Sequence, residues 1–471
     1  MPYAALQELL RLVALPEAAA EAVRFEGRDP VLATRFRIGI AGAAAIAAAA
    51  LAAAEIFALR SGGRRQRVAV DLRHAVAALR SSRLLRIDGA PPQDIFDPVS
   101  GFHPTRDGRS VMLHCNFPNH RAAALGVLGL SAGAPREAVA AVVSRWEGLA
   151  LEDAIHAAAG VAALARSHEE WLRHPQAAAV GGLPLIEIER IGDAPAEALA
   201  AGARPLSGIR VLDLTRVLAG PTGARALAEH GAEVLKISAP HLPFSRDMDI
   251  DTGLGKRSAF LDLREAKDRA RLAALVRDGR ADIFVQGYRP GSLARRGFGA
   301  EELAALRPGI VLVELSAWGR AGPWVARRGF DTLVQTASGM AMIEGAGKPR
   351  LMPVSAIDYV SGYLMALGGM AALLRRAREG GSWRVRVSLA RTGQWIVECG
   401  LLDETAITGL PRDLPEAEIA RLSQETPSPF GLIRHLVPAA RMSETPAGWE
   451  RPPVPLGHDP AEWAEGPLDV R

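Results

Sequence analysis

Between residues 209 and 315 short apolar runs alternate with helical segments, and no other feature of the sequence narrows the fold as far. The runs 209–214, 233–237, 259–263, 283–286 and 310–315 have the length and composition of buried strands. Pro221 suits the first turn of a helix, Gly231 suits a helix C-terminal cap, and 265–278 reads as a helix between two of the strands. Strands that alternate with helices pair in parallel through crossovers, so a Rossmann-like α/β domain with a parallel sheet is expected here. No GxGxxG follows the first run, which argues against a nicotinamide or flavin cofactor.

A chain of 471 residues is too long for one ordinary core, and 49% apolar with 23% charged residues is a globular balance. The net charge of +4 comes from a basic population that is almost all arginine, with lysine only at Lys236, Lys256, Lys267 and Lys348. These charges are dispersed, whereas a nucleic-acid partner calls for basic residues clustered on one face. Cys115 and Cys399 stand far apart with no CxxC, so a reducing cytoplasm is expected, and neither a disulfide framework nor a zinc site. His114, Cys115 and His120 lie close together, but their spacing fits no metal-ligand template well. The first residues show no basic region followed by an apolar core and cleavage site, so no signal peptide is expected.

Residues 40–59, IAGAAAIAAAALAAAEIFAL, are long enough to span a membrane, but they are chiefly alanine, include Glu55 and end in a basic turn. A buried helix is expected instead, and no membrane partner. A glycine turn at 60–63 and an alternating strand at 67–72 follow it. The same layout recurs over 351–396, where an apolar helix ends in Arg375, Arg376 and Arg378 and leads through Gly380 and Gly381 into a strand at 385–389. Glu-Gly precedes both helices, as Glu26-Gly27 and Glu344-Gly345. Placed in register, the copies set Asp358 opposite Ala41. An acid between an extended run and an apolar helix serves as a helix N-cap or as a nucleophile, and Asp358 is read as a candidate nucleophile. The copy with Ala41 is then a scaffold without carboxylate chemistry.

Prolines 91, 92 and 98 mark a loop and a domain boundary. Beyond it, strands at 111–115 and 185–191 and helices at 135–145, 151–160 and 169–173 suggest a smaller α+β domain. The expected organisation is a degenerate helix-turn-strand copy at 1–90, the small domain at 91–192, a linker at 193–205, the Rossmann-like domain at 206–400, and a closing segment at 401–471.

Five blocks in the second half closely resemble the family III CoA-transferases: PLSGIRVLDLTRVLAGP (205–221), GAEVLKI (231–237), GKRSAFLDL (255–263), YRPGSL (288–293) and GFDTLVQ (329–335). That group includes formyl-CoA and carnitine CoA-transferases and 2-methylacyl-CoA racemases. The resemblance implies an α/β Rossmann-like large domain, a smaller α+β domain and two chains interlocked as rings. It implies that Asp358 attacks acyl-CoA, forming first a mixed anhydride and then an enzyme-bound CoA thioester that a second acid accepts. An aspartate with its reference pKa of about 3.9 needs no general base for that step at neutral pH. Carried over position by position, Arg216, Val217 and Ala219 lie against the adenosine part of CoA, Tyr288 and Arg295 contact nucleotide and phosphates, and Arg328 is a basic group beside the active site. Acyl-CoA and a carboxylic acid are the implied substrates, with no tightly bound cofactor and no metal.

Three positions depart from the family pattern. Ser238 stands in a strand tail where an acid and a basic phosphate contact are usual, Gly287 replaces an asparagine, and Phe330 replaces the racemase histidine. The last favours transfer over proton exchange at C2. The order of parts also differs, because 111–191, with LARSHEEWLRHPQ at 164–176, resembles the small domain that normally follows the nucleophile. The segments 436–446 and 453–459 (PVPLGHD) resemble the family's close. Alternatives are therefore a silent CoA-binding or structural subunit, or a racemase or isomerase. The assembly is expected to be a homodimer, a pseudo-dimer within one chain or a hetero-assembly.

Overall fold

The computed structural model describes residues 2–93 and 96–464. The apolar runs of the second half form one sheet with β1 (Glu187–Gly192), β2 (Arg210–Leu214), β3 (Glu233–Ser238), β4 (Lys256–Phe260), β5 (Ile283–Gln286), β6 (Val311–Ser316) and β7 (Ser382–Ser388). Their order is β4-β3-β2-β5-β6-β7-β1. Every pair is parallel except β7 with β1. Parallel strands need long crossovers, and the helices Ala219–Ala228, Ala266–Arg277, Ala300–Leu306 and Ala356–Glu379 supply them. The architecture is thus a mixed α/β fold around a largely parallel sheet.

The sequence pattern assigns β1 to the small domain, but it closes the edge of the large sheet. Its alternation fits any half-covered edge, and only the pairing with β7 decides which sheet receives it. The small domain keeps a three-stranded antiparallel sheet, Gly101–Pro104, Ser110–Leu113 and Ala162–Leu164, covered by three helices with a core including Val111, Leu125, Val139 and Leu151.

The N-terminal copy is a β-α-β unit: Val23–Glu26, the helix Ile38–Arg60 and Val68–Asp71, with its two strands parallel. It matches β6, the helix Ala356–Glu379 and β7. Each second strand also leads into a capped helix: Asp71 accepts from Arg73 N at 2.6 Å, and Ser388 accepts from Arg391 N at 3.4 Å. The two long helices pack on each other and the most apolar stretch of each is fully buried, although each is long and apolar enough to cross a membrane. Ala440–Met442 pairs antiparallel with Val68–Asp71, and Trp463 packs in the core beside β2, its Nε1 donating to Leu275 O at 3.1 Å. The closing segment is thus woven into both halves rather than set apart.

Gly362 lets the helix that carries Asp358 cross close to Ala219–Ala228. A Cβ there would lie 2.7 Å from the Ala219 carbonyl oxygen and 2.7 Å from Thr222 Cβ. This crossing brings the start of the long helix up to the turn after β2, where the two cavities described next meet.

Candidate active site

Asp358 is the third residue of the helix Ala356–Glu379, whose N-cap is Ser355. It is therefore no N-cap. Its backbone N–H donates to Asp331 Oδ2 at 3.1 Å, and Asp331 also takes the backbone of Ile357. In the N-terminal copy Asp29 plays the same part, accepting Gly39 N at 3.1 Å and Ile40 N at 2.8 Å. The structural counterpart of Asp358 is thus Ile40, one residue before the Ala41 that the strand register suggests. The capping acids fix the helix starts, whereas aligning by the strands absorbs a one-residue difference in the turns.

With its N–H engaged, the Asp358 carboxylate makes no hydrogen bond among the described residues and is 8% exposed. It lies where two cavities meet. The larger, about 530 Å³, runs along the C-terminal ends of β2, β5 and β6, the place where open α/β sheets bind ligands. The smaller, about 250 Å³, lies between the small domain, the 244–248 segment and Asp358. Phe117, Val217, Leu218 and Phe330 wall both.

The large cavity is strongly basic. Arg216, Arg289, Arg327 and Arg328 line it, and Asp358 is its only acid among the described residues. Arg216 donates to the Pro243 carbonyl and lies 5.8 Å from the Phe117 ring. Arg328 donates to Ala159 O at 2.7 Å, and burial together with Arg289 lowers its pKa. Arg327 pairs with Asp153 at 2.8 Å. Guanidinium groups gathered against backbone donors suit phosphate oxygens. Of the expected contacts, Arg216, Val217, Ala219, Tyr288 and Arg328 line this cavity; Arg295 does not, being exposed on the short helix Ala294–Arg296. Arg289 stands there instead. The short β5-to-helix turn aims residue 289 at the cleft and carries residue 295 past it.

The turn after β2 is held rigidly. Lys256 Nζ donates to Asp213 Oδ2 at 2.7 Å and to Pro221 O at 2.8 Å, while Asp213 Oδ1 accepts Thr215 N at 3.0 Å. Burial lowers the Lys256 pKa to about 8 against the pull of Asp213. For Asp213 burial is outweighed by Lys256 and Lys236, so its pKa falls, which favours its charged form. Val217 sits in this turn at φ +71°, a conformation that strains a β-branched residue and that the surrounding contacts impose. Gly287 lines the same cavity, and a Cβ there would meet nothing closer than Thr215 Cγ2 at 3.8 Å. Its lost side chain therefore leaves room rather than relieving a clash.

Electrostatics corrects one expectation. Burial first, then the neighbouring Asp331, raises the Asp358 pKa well above the ordinary carboxylate range. Burial raises Asp331 to about 6 despite its hydrogen bonds from Gln335 and from the backbone of residues 357 and 358. Beside Asp331 and buried, Asp358 holds its proton more tightly than an ordinary aspartate. Asp331 lies inside the block at 329–335, yet its sequence context alone gives it no role. The available signal is a repeated acid two residues after glycine, Gly27 to Asp29 and Gly329 to Asp331.

His114 lines the smaller cavity and stacks on Phe330, with centroids 4.0 Å apart and planes 1° apart. Burial and His120 push its pKa down to about 3; burial, Arg328 and Arg216 push His120 to about 4. Both are neutral at physiological pH. Among the described residues no group of three or more histidines, cysteines or acids is placed to hold a metal ion.

Residues 206–421 match the family model described as CoA-transferase family III. This stretch belongs to that family. Similar proteins include an acetyl-coenzyme A transferase of Hypoxylon pulicicidum, 37% identical over 218 residues, covering 44% of this chain and 36% of the relative. A probable fatty acyl-CoA transferase of Mycobacterium tuberculosis is 32% identical over 202 residues, 40% of this chain and 51% of its own. An acetyl-CoA:oxalate CoA-transferase of Acetobacter aceti is 35% identical over 199 residues, 39% of this chain and 51% of its own. A crystal structure of the Mycobacterium tuberculosis protein matches 42% of this chain and 59% of that one at 31% identity, with a TM-score of 0.38. The chain thus spans between about a third and a half of these curated relatives' lengths.

Proposed function

We propose that the protein transfers coenzyme A between an acyl-CoA thioester and a carboxylic acid, with Asp358 as the nucleophile. The observation that carries this reading is the position of Asp358 at the meeting point of a four-arginine cleft and a smaller enclosed cavity. CoA lies in the cleft with its phosphates among Arg216, Arg289, Arg327 and Arg328, and the acyl group enters the smaller cavity.

Once ionised, an Asp358 oxygen attacks the thioester carbonyl, the carbon–sulfur bond breaks, and CoA leaves as its thiolate. The thiolate attacks the aspartyl carbonyl of the mixed anhydride, the first acid departs as its carboxylate, and an aspartyl-CoA thioester remains. The incoming carboxylate attacks this thioester, releasing thiolate again, which then takes the new acyl group and frees Asp358. Each half splits one difficult exchange into two easier steps. A raised pKa makes Asp358 a more basic nucleophile once its proton has gone, and acylation removes a charge that Asp331 opposes.

Ser238 and Gly287 withdraw two side-chain contacts yet leave the four arginines in place, which supports a working site over a silent CoA-binding partner. Phe330 carries no proton, and His114 stacked on it is a poor base, which weighs against a racemase. The free Cys115 and Cys399 fit a reducing cytoplasm as the place of action. The test is Asp358→Ala assayed with several acyl-CoA donors and acids. The account expects exchange to vanish while CoA binding persists; undiminished exchange refutes it.

A further inference from the structure

Attack on a thioester carbonyl drives negative charge onto its oxygen, and that charge needs a hydrogen-bond donor held in place beforehand. The side chains that wall both cavities where they meet, Phe117, Val217, Leu218 and Phe330, have no polar atom to offer. Asp331 beside Asp358 opposes further negative charge there. A donor has to come from a neighbouring position.

Asn116 stands at such a position. It lines the smaller cavity together with Asp358 and directly precedes Phe117, whose ring centroid lies 6.0 Å from that of Phe330. His114 and Asn116 both line the cavity, while Cys115 between them is buried in the core of the small domain, the alternation of an extended chain. The orientation of the Asn116 amide is fixed. Asp97 N donates to Asn116 Oδ1 at 3.1 Å, and Ser100 Oγ, which accepts Cys115 N at 2.8 Å, donates to the same oxygen at 2.6 Å. A backbone N–H can only donate, so the atom facing Asp97 N is the oxygen, and Nδ2 is the end turned away from this loop. Asp97 is tied down in turn, accepting Val99 N at 2.8 Å and Arg121 Nη1 at 2.9 Å. Asn116 Nδ2 itself makes no hydrogen bond among the described residues. Gln335, another amide on this cavity, is spent at both ends, its Nε2 on Asp331 and its Oε1 on Met352 N at 2.9 Å.

We propose that Asn116 is a catalytic residue whose Nδ2 donates to the acyl carbonyl oxygen of the bound thioester while Asp358 attacks its carbon. The inference rests on the transfer reading above. As the bond from the Asp358 oxygen to the acyl carbon forms, the C=O pair moves onto the carbonyl oxygen, where the amide N–H receives it. That pair returns as the carbon–sulfur bond breaks, and the bonding pair leaves with CoA sulfur. The amide is neutral and keeps its own proton throughout, so it needs no acid or base. Asn116 lies outside the stretch matched to the family, so the N-terminal half of the chain supplies part of the chemistry rather than scaffold alone.

The first test is kinetic. Asn116→Ala should lower kcat by about 100-fold or more while KM for acyl-CoA changes less than about threefold, the split expected of a contact made chiefly in the transition state. Asn116→Asp keeps an oxygen for Asp97 N and Ser100 Oγ, should melt near the wild type, and should still be slowed at neutral pH and above, where the ionised carboxylate has no proton to donate. Wild-type kcat in either variant, or a loss confined to KM, overturns the proposal. The second test needs no turnover. Acetyl-CoA labelled with carbon-13 at the carbonyl is bound to the full-length Asp358→Asn protein, and isotope-edited infrared spectroscopy reads the C=O stretch. The band should lie below that of free acetyl-CoA, and adding Asn116→Ala should return it toward the free value. A band that does not shift on binding, or a shift that Asn116→Ala leaves intact, refutes the contact. A shift that Asn116→Ala abolishes, in a protein whose transfer survives Asp358→Ala, would uphold the contact and overturn the nucleophile assignment alone.

Discussion

Asp331→Asn separates the two things Asp331 does to Asp358. Asp331 fixes the helix start through the N–H of Asp358 at 3.1 Å, and its charge helps to hold the neighbouring carboxyl in its protonated form. Asparagine keeps an oxygen for the N–H and removes the charge. Two carboxylates about 4–8 Å apart repel by about 2–4 kcal/mol at an effective dielectric of about 20. That repulsion corresponds to about 1.5–3 pKa units. Burial remains the larger cause of the shift, so the Asp358 pKa should fall without reaching its ordinary value. The assay is release of free acid from a labelled acyl-CoA in a single turnover, followed across pH. In the variant the acid limb should move down by about one pH unit or more. A limb that stays in place or moves up, in a protein that melts as the wild type does, would refute the claim that Asp331 governs the ionisation of Asp358.

The same pair links stability to pH. Both folded-state pKa values lie above the unfolded ones, so the contribution is complete below the unfolded values, falls as pH rises between the two, and is gone once pH has passed the folded ones, about 6 for Asp331 and beyond the ordinary carboxylate range for Asp358. Melting temperature should therefore decline from about pH 4 upward, and Asp358→Asn should lessen that decline; an equal decline in both proteins contradicts it. Lys256→Met strands Asp213 in the core, with an expected loss of about 3–5 kcal/mol by denaturant unfolding and a higher KM for acyl-CoA, since the turn after β2 loses its anchor. Gly362→Ala should cost about 1–3 kcal/mol, because the added methyl meets the Ala219 carbonyl at 2.7 Å; neutral stability would mean that the helix crossing is looser than described.

The parallel sheet was legible because a strand buried on both faces must be a short apolar run, and such runs at 209–214, 233–237 and 283–286 fall on β2, β3 and β5. The run at 259–263 fell a few residues late, since β4 begins with Lys256, whose charge hides a buried ion pair from any reading by hydropathy. Asp358 stood out as an acid against an apolar helix. Its ionisation state did not, because that depends on burial and on Asp331, which reaches it only through the fold. Arg295 and Arg289 are equally basic in the sequence, and only the path of the chain after β5 puts one on the cleft. The repeat itself was visible, but its register came out one residue off because Asp29 and Asp331, not the strands, set where each helix begins.

The central claim is that Asp358 itself carries the acyl group and then CoA. The most direct measurement incubates the full-length protein with acyl-CoA and hydroxylamine, digests it and sequences the modified peptide by mass spectrometry. The account predicts a hydroxamate on Asp358, dependent on acyl-CoA and absent from Asp358→Asn. A hydroxamate on another carboxyl, or none while transfer proceeds, would contradict it.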